Sequence, residues 1–131
     1  MASDLMILAH GGTWEMRFQV SSLAGSAAAA GDHVLVALFF AALDAWVGER
    51  WDALDPAPPV SAARLQTLGL PPLSAMLEPG RAAGLIRIYA CSASCRVLGL
   101  DMDKAQASVD AIVGWQTFSR MTATAGRVVS L

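Results

Sequence analysis

Two short runs of the chain, Leu5–Ala9 and Val34–Phe39, are apolar from end to end. A strand with one wet face alternates polar and apolar side chains, whereas a strand buried on both faces does not. The two runs therefore predict strands inside a sheet that is covered on both sides.

The intervening segments have the length and period of helices. From Trp14 to about Ala30, Met16, Val20, Leu23 and Ala27 recur at helical spacing, with Thr13 as cap and Gly31-Asp32 as stop. A second helix begins within Phe40–Asp44 and continues to about Arg50. Residues 73–83 read as a helix that Pro79 breaks or ends early. Leu85–Ala90 is a third strand, and Cys91–Leu98 a short helix closed by Gly99. Asp101 caps a further turn over 103–107. Residues 109–113 form a short fourth strand, Gln116–Thr124 a helix with Gly126 as its C-cap, and Arg127–Leu131 a last strand. Between the second and third helices, residues 52–72 hold five of the six prolines. They read as a long connection with one helical turn around 62–67, and a connection of that length in a compact domain is usually functional or mobile.

The order βαβα, connection, βαβαβ predicts one α/β domain over residues 1–131. Its architecture is a three-layer α/β/α sandwich with a mainly parallel sheet of about five strands. Hydrophobic residues make up 55% of the chain and charged residues 15%, against roughly 45–50% and about 25% in ordinary domains. A domain of this size cannot hide that much apolar surface alone, so a subunit interface is a second expected outlet.

The formal net charge is −2 and Lys104 is the only lysine. No basic stripe is present, which argues against nucleic-acid binding. The longest apolar run, Val34–Leu43, has ten residues, about half of a membrane-spanning helix. The first twelve residues lack the basic and apolar regions of a secretory signal. The expectation is a cytoplasmic protein with no membrane span, whose two cysteines are reduced thiols.

In open parallel sheets, ligands collect at the carboxyl ends of the strands. Three segments arrive there: His10-Gly11-Gly12, Phe40–Asp44 and Cys91-Ser92-Ala93-Ser94-Cys95. Cys91 follows a strand and opens a helix, where free N–H groups and partial positive charge favour a thiolate, a persulfide sulfur or an oxyanion. The same position also suits a small residue filling a tight corner. Cys95, one turn on, is either a resolving thiol or a core residue. His10 is a candidate base or partner for Cys91. Gly11 and Gly12 permit a tight turn with N–H groups toward a ligand, although no phosphate-loop pattern follows. His33 belongs at the opposite edge of the sheet, which leaves too few ligands for zinc. Trp14, Trp46, Trp51 and Trp115 suit packing or an interface, and Tyr89 suits a buried place in the sheet.

Tyr89-Ala90-Cys91-Ser92-Ala93-Ser94, followed by Leu98-Gly99-Leu100, resembles the DsrE/DsrF/DsrH-like family of small α/β sulfur carriers and sulfurtransferases, including its peroxiredoxin-like branch. Val109–Gly114, Thr117-Phe118 and the closing strand are similar to it as well, and Val36–Leu43 more loosely. The likeness is strongest from Leu73 onward. It implies a flavodoxin-like or DsrEFH-like fold and a persulfide on Cys91; Ser92, Ser94, Cys95 and His10 are candidates for support from their places in the sequence, not from the resemblance. It also implies a homo-oligomer, a trimer or hexamer, with sulfur donor and acceptor proteins as partners and no cofactor. Many members have no known activity, so the resemblance leaves enzymatic activity open. Cys95 and the Pro-rich segment depart from its pattern. Three functions follow as expectations: a sulfur relay through Cys91, a non-catalytic oligomeric module binding a small anion or nucleotide at the carboxyl edge, and a thiol redox protein using Cys91 and Cys95.

Overall fold

The computed structural model describes residues 2–131. Five parallel strands form one sheet: β1 (Leu5–Ala9), β2 (Val34–Leu38), β3 (Ile86–Cys91), β4 (Ala111–Val113) and β5 (Arg127–Ser130), in the order β4-β3-β2-β1-β5. The helices are α1 (Trp14–Ala29), α2 (Phe40–Val47), α3 (Ala62–Leu68), α4 (Leu73–Ala82), α5 (Ser92–Leu98), α6 (Met102–Ser108) and α7 (Trp115–Thr124). This is the three-layer α/β/α sandwich expected from the element order.

The layers are unequal, for a topological reason. The chain steps from β1 through β2 and β3 to β4, one strand at a time in one direction. Right-handed crossovers then place the connecting helices on the same face. The last crossover runs back past three strands to put β5 beside β1, so α7 lies on the other face. The core follows this division. Leu5, Ile7, Ala9, Val34, Val36, Leu38, Ile86, Ile88 and Ala90 pack with Val20, Ala24, Leu43, Leu73 and Leu77 of the thick layer. Met6, Leu35, Ala37, Phe39 and Cys91 pack with Phe118 of α7. Arg87 and Tyr89, which fall on the α7 side of β3, stay half-buried because one helix does not cover the whole face.

Several local expectations shift. On α1 the buried face is Trp14, Arg17, Val20, Ser21, Ala24, Ala27 and Ala28; Met16 and Leu23 sit at its margins, because α4 and the 50–55 segment pack on a neighbouring stripe. Pro79 does not end α4, which continues to Ala82. Burial of Leu73, Leu77 and Gly80 holds the turn that lacks the proline N–H. The α1–α4 contact is close enough that a Cβ on Gly25 would lie 2.5 Å from the Met76 carbonyl oxygen. Cys91 is the last residue of β3 and the N-cap of α5 rather than a helical residue. Ala125, not Gly126, caps α7.

Candidate functional site

The parallel register brings the three expected segments to one edge. Ala9 is opposite Leu38, and Leu38 is opposite Ala90. His10, Phe39 and Cys91 therefore leave the sheet at one level, on neighbouring strands. His33 lies at the other end of β2, where its N–H donates to Asp4 Oδ2 at 2.8 Å.

The edge is not one continuous site. At the β1/β5 boundary, where the winding reverses, the N–H groups of His10 and Gly11 donate to the Leu131 carbonyl at 2.9 and 3.2 Å. His10 Nε2 pairs with Ser130 Oγ at 3.1 Å. This boundary is the position where such sheets usually bind ligands, and here it is filled by β5. The bond to Ser130 also points His10 toward β5 and away from Cys91, which stands two strands off on the other side of β1.

The Cys91 side chain is 1% exposed and belongs to the apolar cluster under α7. Strand β3 lies between β2 and β4, and the Phe39 and Trp115 rings stack at 5.0 Å across its end. Phe118 packs on both rings. Trp115 is the outer member, 53% exposed. Ser92 is half-buried near Gly114. Ser94 is fully buried and its hydroxyl has no hydrogen-bond partner. Cys95 packs into the opposite cluster, with the thick helical layer. Burial pushes its thiol pKa up, and the neighbouring Cys91 adds to the rise. Both cysteines are free.

The open concave feature lies one step over, between the carboxyl ends of β1 and β2. It is a cleft of about 570 Å³ lined by Gly12 and Thr13 before α1, Ala41 and Asp44 of α2, Arg50, and Leu54 to Pro56. Gly12 is required here by proximity rather than by backbone angle, since a Cβ would lie 2.5 Å from that of Ala41. The tight turn after β2 is also strained: Phe40 adopts φ +39°, a region costly for a bulky L-residue.

The floor of the cleft is Arg17, which residue patterning on α1 did not single out. Its guanidinium is buried and makes four hydrogen bonds. Nε donates to the Gly12 carbonyl at 3.1 Å, Nη1 to the Arg50 and Trp51 carbonyls at 2.7 and 2.5 Å, and Nη2 to Asp55 Oδ1 at 3.0 Å. Asp55 Oδ2 in turn accepts the Trp14 N–H at 2.8 Å, so the first turn of α1 is capped from outside as well as by Thr13. Asp52 does the same for α4, accepting from Ser74 N and Oγ at 2.6 Å each. Between the two aspartates and Arg50, Trp51 is buried and its indole N–H donates to Ser21 Oγ at 2.9 Å. Residues 50–55 thus form a strap stapled to two helices. The sequence signal was an arginine inside an otherwise small and apolar helix face, with aspartates ahead of the prolines.

Among the described residues, no three His, Cys, Asp or Glu side chains are grouped as metal ligands, and no helix is long and apolar enough to cross a membrane. No protein-family model matches the chain, and no curated protein matches it in sequence.

Proposed function

We propose that the chain is a binding module whose ligand occupies the cleft at the carboxyl ends of β1 and β2. The observation that carries this reading is the cleft itself: about 570 Å³, open, and lined by polar backbone, two ion pairs and apolar walls. That volume falls within the roughly 300–1,000 Å³ of small-molecule sites. The lining combines the exposed Arg50–Asp44 pair with Thr13, Leu54 and Pro56, which suits a small polar ligand such as an anion or nucleotide. The test is thermal stabilisation by a panel of small anions and nucleotides in the wild type and in Ala53→Trp, which places an indole at an exposed position of the cleft lining. Stabilisation of the wild type alone supports the reading; equal response, or none, overturns it.

A homo-oligomer, trimeric or hexameric, belongs with this reading, because Phe40, Val97 and Trp115 leave large apolar side chains in solvent. Light scattering that gives a monomer mass at working concentration would remove that part. A cytoplasmic location belongs with it too, on the strength of two free thiols.

Sulfur carriage at Cys91 is the second reading, and Ser94 is what favours it. A buried hydroxyl without a partner costs roughly 1–3 kcal/mol, and a sulfur anion three residues earlier at the same helix start would supply an acceptor. In that chemistry the Cys91 thiolate attacks the terminal sulfur of a donor persulfide and the donor leaves as thiolate. A partner thiolate then takes the sulfur from Cys91. Because Cys91 is 1% exposed, the apolar cluster under α7 that holds it must open first. Incubation with a persulfide donor should then add the mass of one sulfur atom to the wild type and none to Cys91→Ser. Equal loading of both proteins removes the reading.

A further inference from the structure

We propose that residues 56–72 form a lid hinged at Asp55, and that the Arg17–Asp55 pair is the latch that holds this lid against the cleft. The inference rests on the reading of the cleft as a ligand site and concerns its control.

The two halves of the latch differ in how firmly they are held. Arg17 keeps three carbonyl acceptors, on Gly12, Arg50 and Trp51, whether or not Asp55 is present. Its guanidinium therefore stays in place when the pair opens. The Asp55 carboxylate is 30% exposed and can exchange Arg17 and the Trp14 N–H for water. Leu54, Asp55 and Pro56 form one wall of the cleft, so movement there changes its mouth directly.

Beyond Asp55 the chain is weakly attached. Among the described residues, no hydrogen bond joins 56–71 to any residue outside that segment, and Pro72 is tied to α4 by accepting from the Ala75 N–H at 3.0 Å. Helix α3 has no buried residue. The segment's apolar attachment is partial: Val60 and Leu65 pack, half-buried, against the main core, and Leu65 and Leu70 border a hollow of about 250 Å³ over Trp14 and Phe18. Pro56, Pro58 and Pro59 stiffen one end and Pro71-Pro72 the other, which favours pivoting of a semi-rigid arm over local melting. The far hinge is fixed as well, because Asp52 holds Ser74 at the start of α4. The arm can swing, with Asp55 releasing Arg17, while residues 50–54 and α4 stay in place.

The test is limited trypsin digestion of the wild type and Asp55→Asn. Arg64 is the only basic residue of the lid and lies exposed on α3. Cleavage at Arg64 should be roughly tenfold faster in Asp55→Asn, with cleavage after Arg87 in β3 unchanged. Equal rates at Arg64 overturn the latch. Hydrogen exchange of the wild type gives an independent reading should the variant not fold: α3 amides exchange well before those of α4 and β2, and equal protection overturns the lid. A cleft that takes no ligand would leave both results as stated and would overturn the binding reading alone.

Discussion

Cys91 and Cys95 are one helical turn apart in sequence, yet they pack on the two sides of the sheet. Cys91 closes β3 and lies in the α7 cluster with Phe39 and Phe118, while Cys95 lies among the helices of the thick layer. A disulfide needs both sulfurs turned toward each other across a short Cβ–Cβ distance. Mild oxidation of the folded protein should therefore give no Cys91–Cys95 bond in peptide maps, and native alkylation of either thiol should be at least roughly a hundredfold slower than in the unfolded chain. A mapped intramolecular bridge would restore the redox function that this packing argues against.

The raised thiol pKa of Cys95 has a consequence for stability. Burial and the neighbouring Cys91 keep its proton on to higher pH in the folded chain than in the unfolded one. Above the ordinary thiol value of about 8.5, the unfolded state has released a proton that the folded state retains. Stability is therefore complete below that value and falls as pH rises through it. Denaturant midpoints at about pH 7 and about pH 9.5 should differ more for the wild type than for Cys95→Ala. Identical pH dependence would show that Cys95 is not the group responsible.

Phe118 is the one residue of α7 that is fully buried, and α7 is the one helix on its side of the sheet. Phe118→Ala should cost about 3–5 kcal/mol, at the upper end because no neighbouring helix can move in to fill the space. The same variant should expose Cys91 to alkylation while Cys95, on the other face, stays protected. Thermal melting together with thiol labelling reads both effects, and equal labelling of the two cysteines would contradict the two-sided arrangement.

The elements were largely legible in the sequence because both faces of β1 and β2 are apolar, and because Thr13, Gly99 and Asp101 mark helix ends as their chemistry dictates. What was not legible came from tertiary context. Pro79 sits inside α4 because packing against α1 outweighs one missing hydrogen bond. The 52–72 connection divides at Asp55 into a fixed strap and a loose arm, and nothing local to the prolines reveals that division. It depends on Arg17, which lies 38 residues earlier. The candidate site shifted for a similar reason. Periodicity places His10, Gly12 and Cys91 at one edge, but only the strand order shows that β5 occupies the His10 side and that α7 covers Cys91. The open space left over is at Gly12 and α2.

Arg17 and its partners yield a graded series. Removing the guanidinium leaves three carbonyls without a donor and a carboxylate without a counter-charge, so Arg17→Ala should cost about 3–5 kcal/mol. Asp55→Ala leaves Arg17 with its three carbonyl acceptors and loses one partly exposed pair and one helix cap, for about 1–2 kcal/mol. Ser21→Ala keeps the buried Trp51 indole and removes the hydroxyl that accepts its N–H, for about 1 kcal/mol. Urea midpoints should fall in that order, and an Asp55 effect as large as that of Arg17 would mean that the strap depends on the ion pair alone.

Phe40 offers a test in the stabilising direction. Its φ of +39° is unfavourable for an aromatic residue, and its ring is 47% exposed, so little apolar burial offsets the strain. Glycine takes positive φ without a Cβ penalty. Phe40→Gly should therefore leave stability unchanged or raise it by up to about 1 kcal/mol, although a glycine at most other helical positions would lower it. The strained turn also sets Ala41 against Gly12 at the wall of the cleft. A Phe40→Gly protein that is more stable but binds cleft ligands more weakly would show that the strain positions the site. A loss of stability of more than about 1 kcal/mol would instead show that the exposed ring is covered in the native assembly.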